Sequence, residues 1–187
     1  MNALISNEEL ASRLGDVRLH DIRWSLTDPN HGRSTYEAGH IPGAVFVDLD
    51  TDLSAPPGPG RHPLPTPDTF ARTLGQLGIT PGDEVVVYDD MEGVIAARMW
   101  WMLQSIGHAR SRLLDGGYKT WISMDLPIES GSNNPNVVEY MIPATFEGVV
   151  THDRLRGRVV VDARASERYT GETEPVDPKA GHIPGAI

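Results

Sequence analysis

The side chains of this sequence that could do chemistry fall into a few groups. Asp89, Asp90 and Glu92 follow directly on the apolar run Glu84-Val85-Val86-Val87-Tyr88. A carboxylate after a buried strand could be the nucleophile of a metal-dependent phosphotransfer. That chemistry wants a second carboxylate two residues on, and Met91 stands there. The plainer reading places these acids at a solvated helix N-terminus, where the dipole favours them. Arg168 lies six residues after Asp162 in Asp162-Ala163-Arg164-Ala165-Ser166-Glu167-Arg168-Tyr169. Its permanently charged, planar guanidinium suits paired bonds to an anion, the alternative being a surface salt bridge with Glu167 or Glu172. The seven histidines show no metal-ligand spacing, so no metal and no cofactor is expected. The chain has no cysteine, which removes disulfides, thiolate metal sites and a cysteine nucleophile of its own.

These residues are organised by a repeat. Ala38-Gly39-His40-Ile41-Pro42-Gly43-Ala44 returns as Ala180-Gly181-His182-Ile183-Pro184-Gly185-Ala186. Asp21-Ile22-Arg23 lies 17 residues before the first word, and Asp162-Ala163-Arg164 lies 18 before the second. Each Asp ends an apolar run, Val17 to His20 in one case and Val159-Val160-Val161 in the other. Two units of one architecture are therefore expected, a duplication rather than a solenoid period. Within the word, the glycines permit φ > 0 and Pro fixes φ, which makes a sharp bend into the next strand. His40 and His182 are read as hydrogen-bonding that turn, and Asp21 and Asp162 as loop anchors that accept backbone N–H bonds. At the offset that gives Arg168 in the second unit, the first has Thr27.

The elements that must position them alternate. Ser6 and Glu9 fit a capping box over a short helix, and Val17 to Ile22 reads as a strand. Residues 25–37 read as a loop with one helical turn, and Ser54 to Pro65 as an irregular excursion. Thr66-Pro67 opens a helix carrying Phe70, Leu74 and Leu77. Glu84 to Tyr88 is a buried strand, Gly93 to Ile106 an apolar helix that carries the core residues Trp100 and Trp101, Arg112 to Leu114 a strand, and Tyr118 to Met124 a helix. Alternation of this kind predicts an α/β fold with a mainly parallel sheet flanked by helices, followed by an incomplete second copy. Expected boundaries are 1–126 for the first domain, 127–147 for a linker and 148–187 for the start of the second. About 40 residues cannot enclose a core alone. The formal charge of −10 argues against nucleic-acid or anionic-membrane partners. No apolar run reaches membrane-spanning length. The acidic N-terminus lacks a secretory signal, so the cytoplasm is the expected location.

The strand-end Asp, the A-G-H-I-P-G-A word, E-V-V-V-Y-D, A-A-R-M-W-W and L-L-D-G-G-Y together resemble the rhodanese-type sulfurtransferases, most closely the tandem two-domain thiosulfate and 3-mercaptopyruvate enzymes. The resemblance implies a catalytically silent first domain, with Asp89 where the active domain has its cysteine. It implies that Arg168 holds the anionic end of the sulfur donor, with Asp162 and His182 structural beside it. The expected activity is transfer of sulfane sulfur from thiosulfate to a thiophilic acceptor such as cyanide through a cysteine persulfide. The alternatives are 3-mercaptopyruvate as donor, or a non-catalytic binding module of the same family. Repeat arithmetic puts the cysteine roughly 40–50 residues beyond Ala186. The expected partners are thus a small anionic donor, a thiophilic acceptor and a missing C-terminal segment of the same protein, and the chain alone is expected to be inactive.

Overall fold

The computed structural model describes residues 2–58, 60–141 and 145–187. Parts of two expectations, the irregular excursion at Pro59 and the linker at 142–144, lie outside the described residues. The chain divides into two units, Met1–Glu147 and Gly148–Ile187.

In the first unit, β1 (Leu4–Ile5), β2 (Arg18–Asp21), β3 (Val45–Phe46), β4 (Val85–Tyr88) and β5 (Ser111–Leu114) form one sheet in the order β1-β5-β4-β2-β3. Every pairing is parallel. β4 is buried throughout, as a central parallel strand covered on both faces must be. Its side chains alternate. Val85 and Val87 join one apolar cluster with α3 (Pro67–Gln76) and α4 (Ala96–Ser105). Val86 and Tyr88 join the other, with Leu10 of α1 (Asn7–Ala11), Tyr36 of α2 (His31–Ala38) and Trp121 of α5 (Gly117–Ser123). From β2 the chain moves to one edge of the sheet, and from β4 to the other. The crevice above the C-terminal ends of β2 and β4 is thus the switch point at which open α/β sheets place ligands.

Several local readings meet the structure directly. Thr66 caps α3, its hydroxyl accepting from Thr69 N at 3.2 Å, with Pro67 in the first turn. Ser6 caps α1 by accepting from Glu9 N at 3.2 Å. Among the described residues the reciprocal half of that capping box is not formed, and the Glu9 carboxylate pairs with Arg13 and Arg112 instead. Residues 31–38 are a full helix rather than one turn within a loop. Only Gly32 and Tyr36 of it are buried, too few apolar positions to show a helical period. β1 is two residues long and has no pattern to read. In the stretch expected as the linker, Val138 N donates to Gly75 O at 2.9 Å, Glu147 N donates to Ser105 O at 2.8 Å, and Tyr140 is buried.

The second unit contains a 3-10 turn (His152–Arg154) and α6 (Ser166–Thr170). Val159 to Val161 is not a strand, as expected from its apolar run, but an extended segment. Among the described residues its backbone bonds run to the other end of the unit: Ile187 N donates to Val160 O, and Asp162 N to Ile187 O, both at 2.9 Å.

Candidate active-site crest and its second copy

Asp89 stands at the switch point, immediately after β4, and is fully buried. Glu92 and Gly93 both take positive φ, +60° and +91°, and so curl the loop back over the carboxylate. One oxygen accepts from Met91 N and Gly93 N at 2.8 Å each. The other accepts from Ile95 N at 2.7 Å and Ala96 N at 2.8 Å. Asp89 therefore caps α4 through its exposed amides from inside a cradle of four N–H groups. This corrects the reading of a solvated helix end. Asp90 and Glu92 are the residues that face outward, and Asp90 lies 3.6 Å from His31. Four inward N–H groups with a helix N-terminus behind them make a site for one compact anion. A thiolate held there would have a depressed pKa. Here the protein fills the site with its own carboxylate, which cannot take up sulfane sulfur.

The residues of the repeated word have one job in both units. Arg23 clamps Asp21, with Nη2 2.6 Å from the carboxylate, and donates to Gly39 O at 2.7 Å. Arg164 does the same to Asp162 at 2.7 Å and to Gly181 O at 2.6 Å. His40 Nδ1 lies 2.8 Å from Tyr36 O, and His182 Nδ1 2.7 Å from Tyr169 O. Each imidazole stacks on its tyrosine, with centroids 4.0 Å and 3.9 Å apart. Tyr36 and Tyr169 then donate to Ala44 O and Ala186 O at 2.8 Å. Each imidazole thus bonds a backbone carbonyl ahead of its turn. The tyrosines were not singled out, because they stand 4 and 13 residues ahead of their histidines and fall out of register in the repeat.

The two clamps differ in their surroundings. Burial pushes the Asp21 carboxyl up, against the pull of Arg23. Asp162 is more open, and the Arg164 guanidinium holds it down at about 2. Beside it, Arg168 pairs with Glu174 at 2.9 Å and Asp177 at 2.7 Å, not with Glu167 or Glu172. Those bonds to Arg168 hold Glu174 down at about 2. Arg168 is thus fixed in place by two acids, next to the Asp162 clamp through the Arg164–Glu174 contact at 3.5 Å.

One pair on the first unit escaped the sequence reading. His62 Nε2 lies 2.9 Å from Asp50 Oδ1, and Trp24 Nε1 donates to the other Asp50 oxygen at 2.9 Å. The Trp24 and His62 rings meet edge to face at 5.2 Å. All three come from loops that follow β2 and β3, on the same side of the sheet as Asp89. His62 takes φ +49°, a costly conformation for a non-glycine residue. Arg98 of α4 secures it by donating to Leu53 O, His62 O and Pro63 O. The result is an imidazole fixed against a carboxylate at the mouth of a cavity of about 390 Å³. Such a pair can accept and return a proton. The signal in the sequence was slight: two residues 12 apart, separated by a Pro/Gly-rich loop.

A search for homologous families matches residues 6–124 to the rhodanese-like domain. The chain is 40% identical over 98% of its length to a protein of Pseudomonas aeruginosa named a probable 3-mercaptopyruvate sulfurtransferase, and covers 69% of that protein. It is 31% identical over 99% of its length to the thiosulfate sulfurtransferase of mouse, covering 68% of it. Among solved structures, the 3-mercaptopyruvate sulfurtransferase of Leishmania major matches with a TM-score of 0.90 at 30% identity, over 99% of this chain and 53% of that one. Among the described residues no helix is long and apolar enough to cross a membrane. Sheet order, the filled cradle, the doubled turn and these likenesses agree: the chain belongs to the rhodanese family, among relatives that are sulfurtransferases.

Proposed function

We propose that this chain is the larger part of a sulfurtransferase that carries sulfur from a small anionic donor to a thiophilic acceptor on a cysteine persulfide. The cysteine would be supplied by the remaining third of the protein, the part that the relatives have and this chain does not span. The observation that supports this reading is Asp89: the first cradle has the N–H groups the chemistry needs but is occupied. Arg168, with no counterpart at Thr27, is the group proposed to hold the donor's carboxylate or sulfonate in the second copy. Glu174 and Asp177 would then set its position and share its charge.

The Asp50–His62 pair favours 3-mercaptopyruvate over thiosulfate as the donor. When a cysteine thiolate attacks thiosulfate, the S–S bond breaks, sulfite leaves with the electron pair, and no proton moves. When it attacks the sulfur of 3-mercaptopyruvate, the C–S electrons pass to the carbon as an enolate. The thiol proton must leave sulfur, and a proton must arrive at that carbon to give pyruvate. An imidazole held against a carboxylate suits both transfers, and the first donor has no use for it. In the complete protein, His62→Ala should lower kcat with 3-mercaptopyruvate by about 10²-fold and leave thiosulfate turnover within a few-fold. Equal losses with both donors would refute the assignment.

A further inference from the structure

Outside the Asp89 cradle and the Asp50–His62 pair, a further set of charges gathers at the β3 edge of the first unit's sheet. Gly32 lets α2 close on β3, since a Cβ there would stand 3.2 Å from the Phe46 ring. The next residue, Arg33, lays its guanidinium over that ring, 4.5 Å from the centroid. Among the described residues this guanidinium makes no hydrogen bond and no ion pair, so its five N–H donors are uncommitted. Asp52 lines the same cavity, of about 200 Å³, together with Thr73 and Gln76 of α3 and with Asn134. Asp52 Oδ2 accepts from Asp48 N at 2.8 Å, whereas Oδ1 has only a long bond, 3.4 Å, from the Thr51 hydroxyl among the described residues. Burial pushes the Asp52 carboxyl up, and the bond from Asp48 N and the charge of Arg33 pull against it. One cavity thus holds a fixed cation and a fixed anion that do not pair with each other.

We infer that this cavity binds a small zwitterionic α-amino acid, its carboxylate held by Arg33 and its ammonium by Asp52. An inorganic ion would answer one of the two charges and leave the other, whereas an α-amino acid carries both on a single carbon. A planar guanidinium stacked on an aromatic ring suits paired bonds to a carboxylate. Asp52 Oδ1 retains acceptor capacity, and an ammonium offers three donors. The volume is below that of pockets for drug-sized ligands, which confines the occupant to a small side chain. Thr73, Gln76 and Asn134 surround it with neutral polar groups, which favours a hydroxyl or carboxamide over an aliphatic chain. Both charged groups are held before any ligand arrives, which lowers the cost of binding. None of these residues lines the cavity beside Asp50–His62 and no sulfur chemistry enters, so the site goes beyond the reading above.

The test is calorimetric titration of the complete protein with L-serine, L-glycerate and L-serinamide. Glycerate has a hydroxyl in place of the ammonium, and serinamide a neutral amide in place of the carboxylate. L-Serine should bind saturably, one per chain, and each analogue about tenfold more weakly or worse, since each forfeits a charge-assisted bond. Arg33→Gln should weaken L-serine by about tenfold or more and leave serinamide as in the parent. Asp52→Asn should weaken L-serine likewise and leave glycerate as in the parent. Arg33 is exposed, so its replacement spares the fold, and the comparison of three ligands on the parent protein needs no variant. No saturable uptake of L-serine would overturn the proposal. So would equal binding of the three ligands, a loss with one analogue alone (the mark of a plain anion or cation site), or L-serine binding that Arg33→Gln leaves unchanged. Because binding and not turnover is read, failure here is distinguishable from failure of the sulfur-transfer reading.

Discussion

At the scale of single residues, two buried groups carry opposite obligations. Asp89 satisfies four amides that have no other partner among the described residues. Asp89→Ala should therefore cost about 3 kcal/mol in urea unfolding, because unmet buried donors bear their full desolvation cost. Asp89→Asn keeps one accepting oxygen and should lose less. Equal stability of Asp89→Ala and the parent would mean that the cradle is not a structural necessity. His20 is the converse case. Both of its ring nitrogens are buried and unpartnered among the described residues, and burial pushes its pKa down to about 3. Its folded pKa lies below the unfolded value, so the unfolded chain takes the proton first as pH falls. Stability contributed by the neutral ring is present above about pH 6.5 and is lost between there and pH 3, by roughly 5 kcal/mol in all. His20→Val, the residue type its counterpart Val161 carries, should flatten the fall in urea midpoint between pH 7 and pH 4. An unchanged slope would show that other groups dominate acid unfolding. The position of His20 in a strand was legible. Its lack of partners was not, since that depends on how Val45 and the elements around it pack.

At the scale of elements, punctuation was the readable part. Thr66-Pro67 opened α3, and the unbroken apolar run Val85–Tyr88 marked a central strand. Elements held mainly by tertiary contacts were not readable. Helix α2 has one large buried side chain, Tyr36, and a glycine whose missing Cβ would lie 2.0 Å from Arg23 O. Neither feature makes a periodic signal. Gly117 is a stronger case of backbone demand. It takes φ +59°, and a Cβ there would stand 2.4 Å from Asp89 O, the carbonyl that accepts from Tyr118 N at 2.8 Å. Gly117→Ala must strain the backbone and push α5 off the cradle. A loss of about 2–3 kcal/mol is expected, with the near-ultraviolet signal of Trp121 altered at temperatures where the chain is still folded. A variant as stable as the parent would show that α5 can shift without cost.

At the scale of the molecule, duplication explains both what was legible and what was hidden. The seven-residue word and the Asp-x-Arg clamp repeat in sequence, so the second unit could be placed without a sheet to carry it. The acid–base pair Asp50–His62 is assembled across a loop and follows the repeated word, outside the stretch in which the two copies can be compared here, so no repeat revealed it. The central claim is that sulfur rides on a cysteine that the first copy has replaced with Asp89 and that this chain does not contain. The most direct measurement is the mass of the protein after exposure to 3-mercaptopyruvate or thiosulfate without acceptor, made on this chain and on the full-length protein. The account predicts one added sulfur atom on the full-length protein, removed by cyanide with release of thiocyanate, and none on this chain. Sulfur retained by the 187-residue chain, or a full-length protein that turns over without ever carrying the added mass, would contradict it.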